Sequence, residues 1–524
     1  MLRTLERLAT TATHYVQMAD GAPLATDVHR PAGPGPHPTI MVRTPYGRNG
    51  LTGIPMVAQA KLLARVGYAV VLQDVRGRFD SGGVFEPMIH EAADGASTAE
   101  WIHGQTWCNG RVGTWGLSYL GGTAWAAAVE VPELITALAV GITHPGLGLP
   151  DPRGLRHLDT TLRWIKSLDA MAGDGDMWMT RLKGIIDSRR RDAQMVRRMH
   201  ALPVNQLDEF VLGRPSPIWR HWSEHPNPDD PYWTPADLAP RIPVVGPTAH
   251  LTGWYDIFLA DQLDNYRVQA QTQPTDLVVG PWGHLDLRVQ TAAFTQAKQH
   301  FDHHLRDLDT PDPQARIWLG GADRWWTMPA WPPPHDDASW VLSGGRLVPE
   351  DGSTPPGFAL RYDPADPTPS LGGSTLSLEA GRVDCLELEL RPDVVVHTSH
   401  PLPRPLTIAG RVTLTASLSC DTGIADLFCR LTDVDPQGRS VSLADGYARF
   451  TSCGGQNVQV QLHPVAHQFQ RGHRLRILVA GGSFPAFDRN LGYGLPQGEQ
   501  TVSRPTTMTV EGGAKLSLPV AGTR

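Results

Sequence analysis

The sequence predicts an α/β fold in which a helical segment interrupts a parallel sheet and an all-β region follows. Strand-like and helix-like segments alternate up to residue 146 and again over residues 240–330, the pattern of a parallel sheet with helices on both faces. Residues 147–239 lack that alternation, since most of this segment has a helical pattern. Beyond residue 331, short β-type runs separated by Gly, Pro and Asp turns replace helical periodicity.

Composition places the chain among ordinary globular proteins and excludes several classes of function. Its 524 residues, 41% hydrophobic and 19% charged, are too many for one core. With a net charge of −7, the chain lacks the excess of positive charge expected of a nucleic-acid-binding protein. Five cysteines without C-x-x-C spacing argue against a disulfide framework and against a structural zinc site. Charges interrupt the first ten residues and no apolar run reaches the ~18 residues of a membrane span, so we expect a cytoplasmic protein without a signal peptide.

The first half of the sheet can be followed element by element. A hairpin is predicted around the Asp-Gly pair at residues 20–21, because strand-like alternation flanks the pair on both sides. The buried strand at residues 39–43 ends in a loop, residues 44–48, at the sheet edge where ligands bind in open α/β folds. The next elements are predicted as a helix at 54–66, a strand at 68–73, a helix at 91–103 and strands at 112–115 and 135–142.

Residues 113–128 contain a serine flanked by glycines and followed by an Ala-rich run. Within them, the run from Gly116 to Gly121 around Ser118 is one residue longer than a G-x-S-x-G nucleophile turn. A serine held on a sharp strand-to-helix turn has a strained backbone, and side chains at the flanking glycines would collide there. The Ala-rich residues that follow can pack closely as a helix whose first N–H groups point at Ser118. The short motif alone is equally compatible with a Gly-rich turn that carries an incidental serine.

The sheet pattern resumes at residue 242 and supplies two further polar residues after predicted strands. Asp256 follows Gly-Trp-Tyr at the end of one strand, and His284 follows the strand that begins at residue 275. Taken singly, Asp256 could cap the next helix, and one of 21 histidines is usually a surface or core residue. The remaining elements of this part are predicted as a helix at 294–308 and a last strand at 316–320.

Ser118, Asp256 and His284 occur in the order of a catalytic triad. A serine hydroxyl is a poor nucleophile at its own pKa and needs a neighbouring base that a third group orients. The α/β-hydrolase layout places the serine, the acid and the histidine in this order, each after a strand. Their joint placement predicts a serine nucleophile on an α/β-hydrolase sheet.

The last third of the chain predicts a β-sandwich of the jelly-roll type. Short β-rich runs alternate with regular turns, and helical periodicity is absent. The predicted strands include residues 383–390, 411–418, 427–434 and 474–479.

Seven motifs distributed over nearly the whole chain carry a resemblance to a known family. They are residues 43–48, residues 74–78 with 81–83, the turn around Ser118, and residues 253–256, 280–284, 321–325 and 483–490. With them the chain resembles the cocaine esterase / X-prolyl dipeptidyl aminopeptidase family of serine hydrolases. That family also includes α-amino acid ester hydrolases and glutaryl acylases.

The resemblance implies three domains. Residues 1–146 and 240–330 are expected to form an α/β-hydrolase domain, and residues 147–239 an inserted helical cap. Residues 331–524 are expected to form the jelly-roll domain.

The resemblance also implies a role for each site residue. Ser118 is expected to be the nucleophile, His284 the general base and then acid, and Asp256 the residue that orients His284. The oxyanion hole resembles a pair of donors, here the backbone N–H of Tyr119 and the hydroxyl of Tyr46. A phenol hydroxyl aimed at the developing oxyanion acts where charge appears only in the transition state. The alternative for Tyr46 is a packing role beside its neighbouring proline.

The acyl pocket is expected between the cap, the sheet edge and the jelly roll. Trp164 and Phe258 are the candidates for its wall, although a buried aromatic residue more often belongs to the core. Arg76 is expected to pair with a carboxylate such as Asp94 in a structural role. A further hypothesis left open is that acidic residues of the cap form a carboxylate cluster that binds an amine; the residues are Asp169, Asp174 and Asp176.

The predicted function is hydrolysis of a small-molecule carboxylic ester through an acyl-enzyme on Ser118, without a metal or organic cofactor. Hydrolysis of X-Pro peptides, cleavage of amides and acyl transfer remain alternative activities of the same scaffold. The protein could also form a homo-oligomer, and the sequence leaves its oligomeric state open. A non-enzymatic alternative is an idle hydrolase scaffold whose jelly roll binds carbohydrate or a partner. A triad and an oxyanion pair favour the enzyme, since binding needs neither.

Overall fold

The computed structural model describes residues 10–172, 188–273 and 275–522. Along the chain it contains a ten-stranded sheet, a set of helices inserted between two of its strands, and an eleven-stranded sheet. The predicted fold class, an α/β domain with a helical cap and a C-terminal all-β domain, is confirmed. Within the described ranges, none of the helices is long and apolar enough to cross a membrane.

The ten-stranded sheet is parallel at its centre. Its strands are β1 (Thr10–Gln17), β2 (Pro23–Arg30), β3 (His37–Thr44), β4 (Ala69–Asp74), β5 (Cys108–Leu117), β6 (Ala137–Gly141), β7 (Thr248–Tyr255), β8 (Asp276–Gly283), β9 (Ala315–Leu319) and β10 (Arg324–Met328). They lie in the order β1-β2-β4-β3-β5-β6-β7-β8-β9-β10, with β3 to β9 parallel and the outer strands antiparallel to their neighbours. Helices cover both faces, which explains why the central strands are continuous apolar runs.

The helices divide into a sheet-covering set and a cap. The described residues form α1 (Gly50–Arg65), α2 (Glu91–His103), α3 (Tyr119–Glu130), α4 (Leu158–Ala172), α5 (Ser188–Arg198), α6 (Leu207–Leu212), α7 (Pro217–Glu224), α8 (Leu259–Ala270), α9 (Leu287–Arg306) and α10 (Leu386–Glu389). Helices α1 and α9 pack on one face of the sheet, and the Ala-rich α3 packs with α2 on the other. Helices α4 to α7 form the cap, with a small core of their own that includes Leu162, Leu207 and Trp219.

One strand begins later than the sequence predicts. The sheet pattern is expected to resume at residue 242, but residues Ala239–Val244 form a 3-10 helix and β7 begins at Thr248. Pro243 and Pro247 explain the difference, because proline has no N–H to donate to a strand ladder.

The all-β domain closes on itself. Its strands are β11 (His335–Ser343), β12 (Arg346–Pro349), β13 (Phe358–Tyr362), β14 (Val394–Ser399), β15 (Leu406–Cys420), β16 (Ile424–Val434), β17 (Ser440–Thr451), β18 (Gly454–Phe469), β19 (Arg474–Ala480), β20 (Thr506–Val510) and β21 (Lys515–Ala521). Their order is β13-β20-β15-β18-β17-β16-β19-β14-β12-β11-β21, and β15 also pairs with β21, which closes the sheet. The strands predicted at 411–418, 427–434 and 474–479 are confirmed within β15, β16 and β19.

The strand predicted at residues 383–390 is wrong. The segment forms the short helix α10, which begins where the Asp384 carboxylate accepts a hydrogen bond from the backbone N–H of Leu386 at 3.0 Å. The alternation of Leu and Glu is ambiguous over so few residues, because one helical turn can also bury a single leucine, here Leu388. The aspartate turn therefore decides the local structure.

Candidate active site

Ser118 lies on a strained turn between β5 and α3. Its backbone angles are φ 55° and ψ −128°, a region that residues with a side chain rarely adopt. Two glycines make room for the turn. A Cβ atom at Gly116 would lie 2.1 Å from the carbonyl group of Leu120, and one at Gly121 would lie 2.4 Å from the methyl group of Thr143. The predicted collision at the flanking glycines is therefore confirmed.

The structure brings together the three residues predicted as a triad. The Nε2 atom of His284 lies 2.9 Å from Ser118 Oγ, and its Nδ1 atom lies 2.7 Å from Asp256 Oδ2. Asp256 is inaccessible to solvent, and its second oxygen accepts a hydrogen bond from the backbone N–H of Phe258 at 2.7 Å. A buried carboxylate that accepts the Nδ1–H leaves Nε2 unprotonated and directed at the serine hydroxyl. This imidazole can therefore take the hydroxyl proton.

A series of hydrogen bonds between uncharged groups supports the turn that carries Ser118. Thr143 donates its hydroxyl to the carbonyl oxygen of Ser118 at 2.7 Å, and its N–H donates to Gln262 Oε1 at 3.0 Å. Gln262 then donates its amide to Nδ1 of His250 at 2.8 Å, so Nε2 of His250 carries the proton that binds Gln269 at 2.6 Å. Burial lowers the pKa of His250 to about 4, so the imidazole is neutral at neutral pH. Each group in this series of hydrogen bonds therefore keeps its role as donor or acceptor.

Tyr46 extends from the loop after β3 towards Ser118. Its hydroxyl accepts a hydrogen bond from the indole N–H of Trp164 at 3.1 Å, across the boundary between sheet and cap. Burial raises the pKa of Tyr46, while hydrogen bonds with Trp164 and Ser118 act in the opposite direction. The hydroxyl therefore keeps its proton at neutral pH and can donate it beside Ser118.

Tyr119 is the first residue of α3, so its backbone N–H is one of the helix donors without an intrahelical partner. Its side chain is held separately. The hydroxyl donates to Glu91 Oε1 at 2.9 Å and accepts from the N–H of Met88 at 3.0 Å. Burial and the charge of Glu91 raise the pKa of Tyr119 well above its usual value. The hydroxyl is thus occupied away from Ser118, and only the backbone N–H faces the turn.

The arginines of the two N-terminal motifs fix the loop that carries Tyr46. Arg48 pairs with Asp74 at 2.5 Å, and Arg78 donates to the carbonyl of Pro45 at 2.9 Å and to that of Leu168 in α4 at 3.1 Å. Arg78 therefore ties this loop to the cap.

The predicted pairing of Arg76 is confirmed. Its guanidinium binds the Asp94 carboxylate at 2.6 and 3.0 Å and also reaches Asp20.

One continuous cavity of about 1450 Å³ surrounds Ser118. The sheet edge, the cap and the all-β domain all contribute to its wall, and both predicted wall residues, Trp164 and Phe258, line it. Trp164 is covered on both faces, since its ring stacks 5.7 Å from Tyr119 and 5.9 Å from Trp222. Phe258 lies with its ring 5.6 Å from that of His284.

The part of the cavity towards the all-β domain is polar. We call it the polar lobe; its titratable residues include His144, His157, Asp261 and His463. It is contiguous with the triad, because the His144 ring lies 5.2 Å from that of Phe258. Burial lowers the pKa of all three imidazoles, and the charge of Asp261 acts on each in the opposite direction. Asp151 and Asp445 also line the cavity, and their charges act in the same direction as that of Asp261, on His157 and on His463 respectively. The lobe therefore presents neutral histidines beside several carboxylates.

Of the three acidic cap residues that could form an amine-binding cluster, the structure describes only Asp169. Asp169 pairs with Arg214, and Asp174 and Asp176 lie outside the described residues. Across the described ranges, no group of three or more His, Cys, Asp or Glu side chains is arranged to hold a metal ion.

Sequence reasoning missed Thr143, Arg78 and Glu91 as supports of the site. Thr143 binds Ser118, and Glu91 binds Tyr119, each from a different element of the fold. No local motif marks Thr143 or Glu91. Arg78 lies in the motif at residues 74–78, but its carbonyl partners are known only once the cap is in place.

Two family models match the chain. Residues 20–286 match the X-Pro dipeptidyl-peptidase (S15) family, and residues 307–518 match the X-Pro dipeptidyl-peptidase C-terminal non-catalytic domain. The cocaine esterase of Rhodococcus sp. (strain MB1 Bresler) is 31% identical over 532 residues, covering 91% of each chain.

Solved structures with the same fold span almost the whole chain. An α-amino acid ester hydrolase superposes with a TM-score of 0.79 at 22% identity, covering 98% of this chain and 97% of the other. An aminopeptidase from a marine sediment Thaumarchaeota archaeon superposes with a TM-score of 0.76 at 21% identity, covering 98% and 96%. At these identities the likeness establishes the shared fold.

Proposed function

The chain belongs to the X-Pro dipeptidyl-peptidase (S15) family and is a serine hydrolase of esters or X-Pro peptides, and from that premise we propose that it cleaves small-molecule carboxylic esters through an acyl-enzyme on Ser118. The observation that carries the proposal is the line of hydrogen bonds from Ser118 through His284 to Asp256, at 2.9 and 2.7 Å. The name of the relative from Rhodococcus supports esters as the first substrate class.

In the proposed reaction Ser118 Oγ attacks the ester carbonyl while its proton passes to Nε2 of His284. Asp256 stabilises the imidazolium that forms, because its carboxylate accepts the Nδ1–H and is already oriented. The C–O bond of the tetrahedral intermediate then breaks, and His284 returns the proton to the leaving alkoxide. A water molecule deprotonated by His284 attacks the acyl-enzyme and releases the carboxylic acid.

Two donors are proposed to stabilise the oxyanion, the Tyr119 backbone N–H and the Tyr46 hydroxyl. The bond from Trp164 supports this role, since a hydroxyl that already accepts one hydrogen bond directs its own proton elsewhere. Both donors are fixed before the reaction, which is the condition under which such groups lower the barrier most.

The nucleophile is tested by intact mass after exposure to a fluorophosphonate, with the wild type and Ser118→Ala side by side. One adduct on the wild type and none on the variant is expected, because only a serine activated by its base reacts readily. An adduct on both proteins would mean that another serine is the nucleophile. No adduct on either would favour the idle scaffold that binds a ligand without chemistry.

Tyr46→Phe tests the oxyanion donor. The variant is expected to lose on the order of 10²–10³ in kcat, the usual effect of removing one such donor. The measurement is steady-state hydrolysis of p-nitrophenyl acetate at neutral pH. A loss smaller than about threefold would remove Tyr46 from the oxyanion hole.

The match to the S15 family model favours hydrolysis of X-Pro peptides as the second candidate. Comparing kcat/KM for an X-Pro p-nitroanilide and for p-nitrophenyl acetate separates the two. A preference for the anilide would make the protein a dipeptidyl peptidase, and a product formed with an added amine would indicate acyl transfer.

A further inference from the structure

Two of the cysteines lie directly opposite each other at one end of the all-β domain. Cys420 is the last residue of β15, and Cys453 immediately precedes β18. The register of these antiparallel strands pairs Ser419 with Gly454. The next pair along the strands is therefore Cys420 with Cys453. The backbone N–H of Cys420 donates to the carbonyl oxygen of Cys453 at 3.2 Å, which shows that the pairing continues through both cysteines.

The two thiols are in contact. Both cysteines pack against the same core cluster of the all-β domain, and a hydrogen bond joins the two thiols. Opposite residues on antiparallel strands have Cα atoms about 4.5–5.5 Å apart, which lies within the range of about 4.4–6.8 Å that disulfides span. Both cysteines are free in this structure. A bond between Cys420 and Cys453 therefore needs rotation of the side chains and no movement of the strands.

The other three cysteines do not face a second cysteine, and all five lie within the described residues. Cys429 is paired with Gly446 and Val479 on the two neighbouring strands. Cys108 lies in the other sheet, and Cys385 packs in a separate core cluster. The strand registers therefore bring together a single pair of cysteines.

Cys420 is the thiol that an oxidant reaches first. It is half-buried, whereas Cys453 is 4% exposed, and the turn residues on either side of the pair are exposed. Burial, together with the neighbouring Cys420, raises the pKa of Cys453 to about 12. The Cys453 thiol is therefore protonated at neutral pH and is a slow nucleophile. It takes part in the second step of an oxidation, when the sulfur of Cys420 is already oxidised and in contact with it.

We propose that Cys420 and Cys453 form an oxidation site, at which a peroxide converts the two thiols into a disulfide between β15 and β18. Hydrogen peroxide transfers one oxygen to the sulfur of Cys420, which gives a sulfenic acid and one water. The sulfur of Cys453 then attacks that of Cys420. The S–S bond forms, the S–O bond breaks, and the hydroxyl group leaves as a second water with the thiol proton of Cys453. The two thiols lose two electrons in total, and these reduce the peroxide.

The disulfide stabilises the all-β domain. It closes a loop from residue 420 to residue 453, and a cross-link over such a length acts mainly by restricting the unfolded chain. The same end of the domain binds the motif at residues 483–490, because the amide of Asn490 donates to the carbonyl oxygen of Ile424 at 3.2 Å. We expect oxidation to raise the midpoint of thermal unfolding by about 5 °C or more. Neither cysteine borders the active-site cavity, so the site is independent of the proposed ester hydrolysis.

The first test counts thiols. The protein is treated with hydrogen peroxide, unfolded and labelled with N-ethylmaleimide, and its intact mass is measured. The untreated protein should carry five labels, one for each cysteine, and the oxidised protein three, because two thiols have been used. Dithiothreitol should restore all five. A digest of the oxidised protein should contain one cross-linked pair of peptides, joined through Cys420 and Cys453.

Three serine substitutions locate the disulfide. Cys420→Ser and Cys453→Ser each remove one partner, so peroxide should produce neither a disulfide nor a rise in the unfolding midpoint. Having a variant on each side keeps the test decisive if the more buried position does not tolerate serine. Cys108→Ser is the matched control, because Cys108 is half-buried like Cys420 but lies in the other sheet. It should lose two labels on oxidation and gain stability as the wild type does.

The remaining outcomes contradict the proposal. Five labels after peroxide treatment, or a loss of labels that dithiothreitol does not reverse, would mean that no disulfide forms. A cross-link between other cysteines would overturn the assignment to Cys420 and Cys453. A disulfide at this pair without a rise in the unfolding midpoint would overturn its stabilising role. Ester hydrolysis and fluorophosphonate labelling are measured on separate samples, so a failure of the proposed function is distinguished from a failure of the oxidation site.

Discussion

Trp164 contributes to the site through its edge. Both faces of its ring are covered, by Tyr119 and by Trp222, so a substrate cannot stack on either face. The indole N–H is directed at the hydroxyl of Tyr46. Trp164 therefore acts as a positioning residue for Tyr46, in addition to lining the cavity as expected from the sequence.

Trp164→Phe tests this positioning role. It keeps an aromatic ring between its two neighbours and removes the N–H, so kcat is expected to fall about tenfold, the worth of one hydrogen bond. KM should change little. In a Tyr46→Phe background the same substitution should have almost no further effect, because the group through which it acts is absent.

Trp222→Phe is the control for this pair, since it alters the same aromatic stack without touching Tyr46. A full tenfold loss from Trp164→Phe in the Tyr46→Phe background would contradict the positioning role.

At the scale of elements, β7 and α8 support the turn that carries Ser118 through an uncharged imidazole. Strand β7 carries His250 in its interior and Asp256 just beyond its end, and α8 supplies Gln262 and Gln269. The chain of bonds needs Nδ1 of His250 as an acceptor. Protonation would turn that acceptor into a donor facing the amide of Gln262 and would break the support of Thr143.

The depressed pKa of His250 predicts a loss of stability in acid. The folded pKa is about 4, below the value of ~6.5 for an exposed imidazole. The unfolded chain therefore binds more protons between these values, and stability that is complete above pH 6.5 falls as the pH decreases towards 4. At pH 5 the loss from this group is about 2 kcal/mol relative to pH 7.5.

His250→Gln checks that assignment. The variant is less stable at pH 7.5, but its free energy of unfolding should fall about 2 kcal/mol less between pH 7.5 and pH 5 than that of the wild type. Urea unfolding at the two pH values measures the difference. An identical pH dependence for the two proteins would show that His250 does not titrate between the folded and unfolded states.

The elements of the α/β part were largely predictable, whereas short segments were not. Central strands such as β4 are continuous apolar runs between turns, and α2 occupies the same residues, 91–103, in the prediction and in the structure. Over residues 383–390 the alternating pattern was too short to separate a strand from a helical turn, and the Asp384 turn decided it. Ser118, Asp256 and His284 could be proposed because each follows a strand.

At the scale of the whole molecule, a segment of the all-β domain binds the cap. Arg489 donates to the carbonyl of His200, after α5, at 2.7 Å and to that of Pro364 at 3.0 Å. Phe484, from the same motif, contributes to the core of the cap. The motif at residues 483–490 therefore joins two regions that the sequence predicts only as separate units. Its presence could be read from the sequence, but its partners could not, because they depend on how the units pack.

Arg489→Leu tests this connection. The substitution leaves two carbonyl groups without their charged donor at a site where the arginine is 6% exposed, so the expected loss of stability is about 2 kcal/mol. Urea unfolding followed by tryptophan fluorescence measures it. Arg404→Leu is the control, since Arg404 is exposed, and it should change stability by less than about 0.5 kcal/mol. Equal effects of the two substitutions would contradict the proposed connection.

The positive φ angle of Ser118 opposes folding at the residue on which the proposed chemistry depends. A non-glycine residue in such a conformation destabilises the folded state by about 1–3 kcal/mol, and glycine would relieve most of that strain. Ser118→Gly should therefore be more stable than Ser118→Ala by about 1 kcal/mol, although both lack the hydroxyl. Selection for thermal resistance alone would then favour a glycine here, and an inactive descendant of this protein should drift towards it.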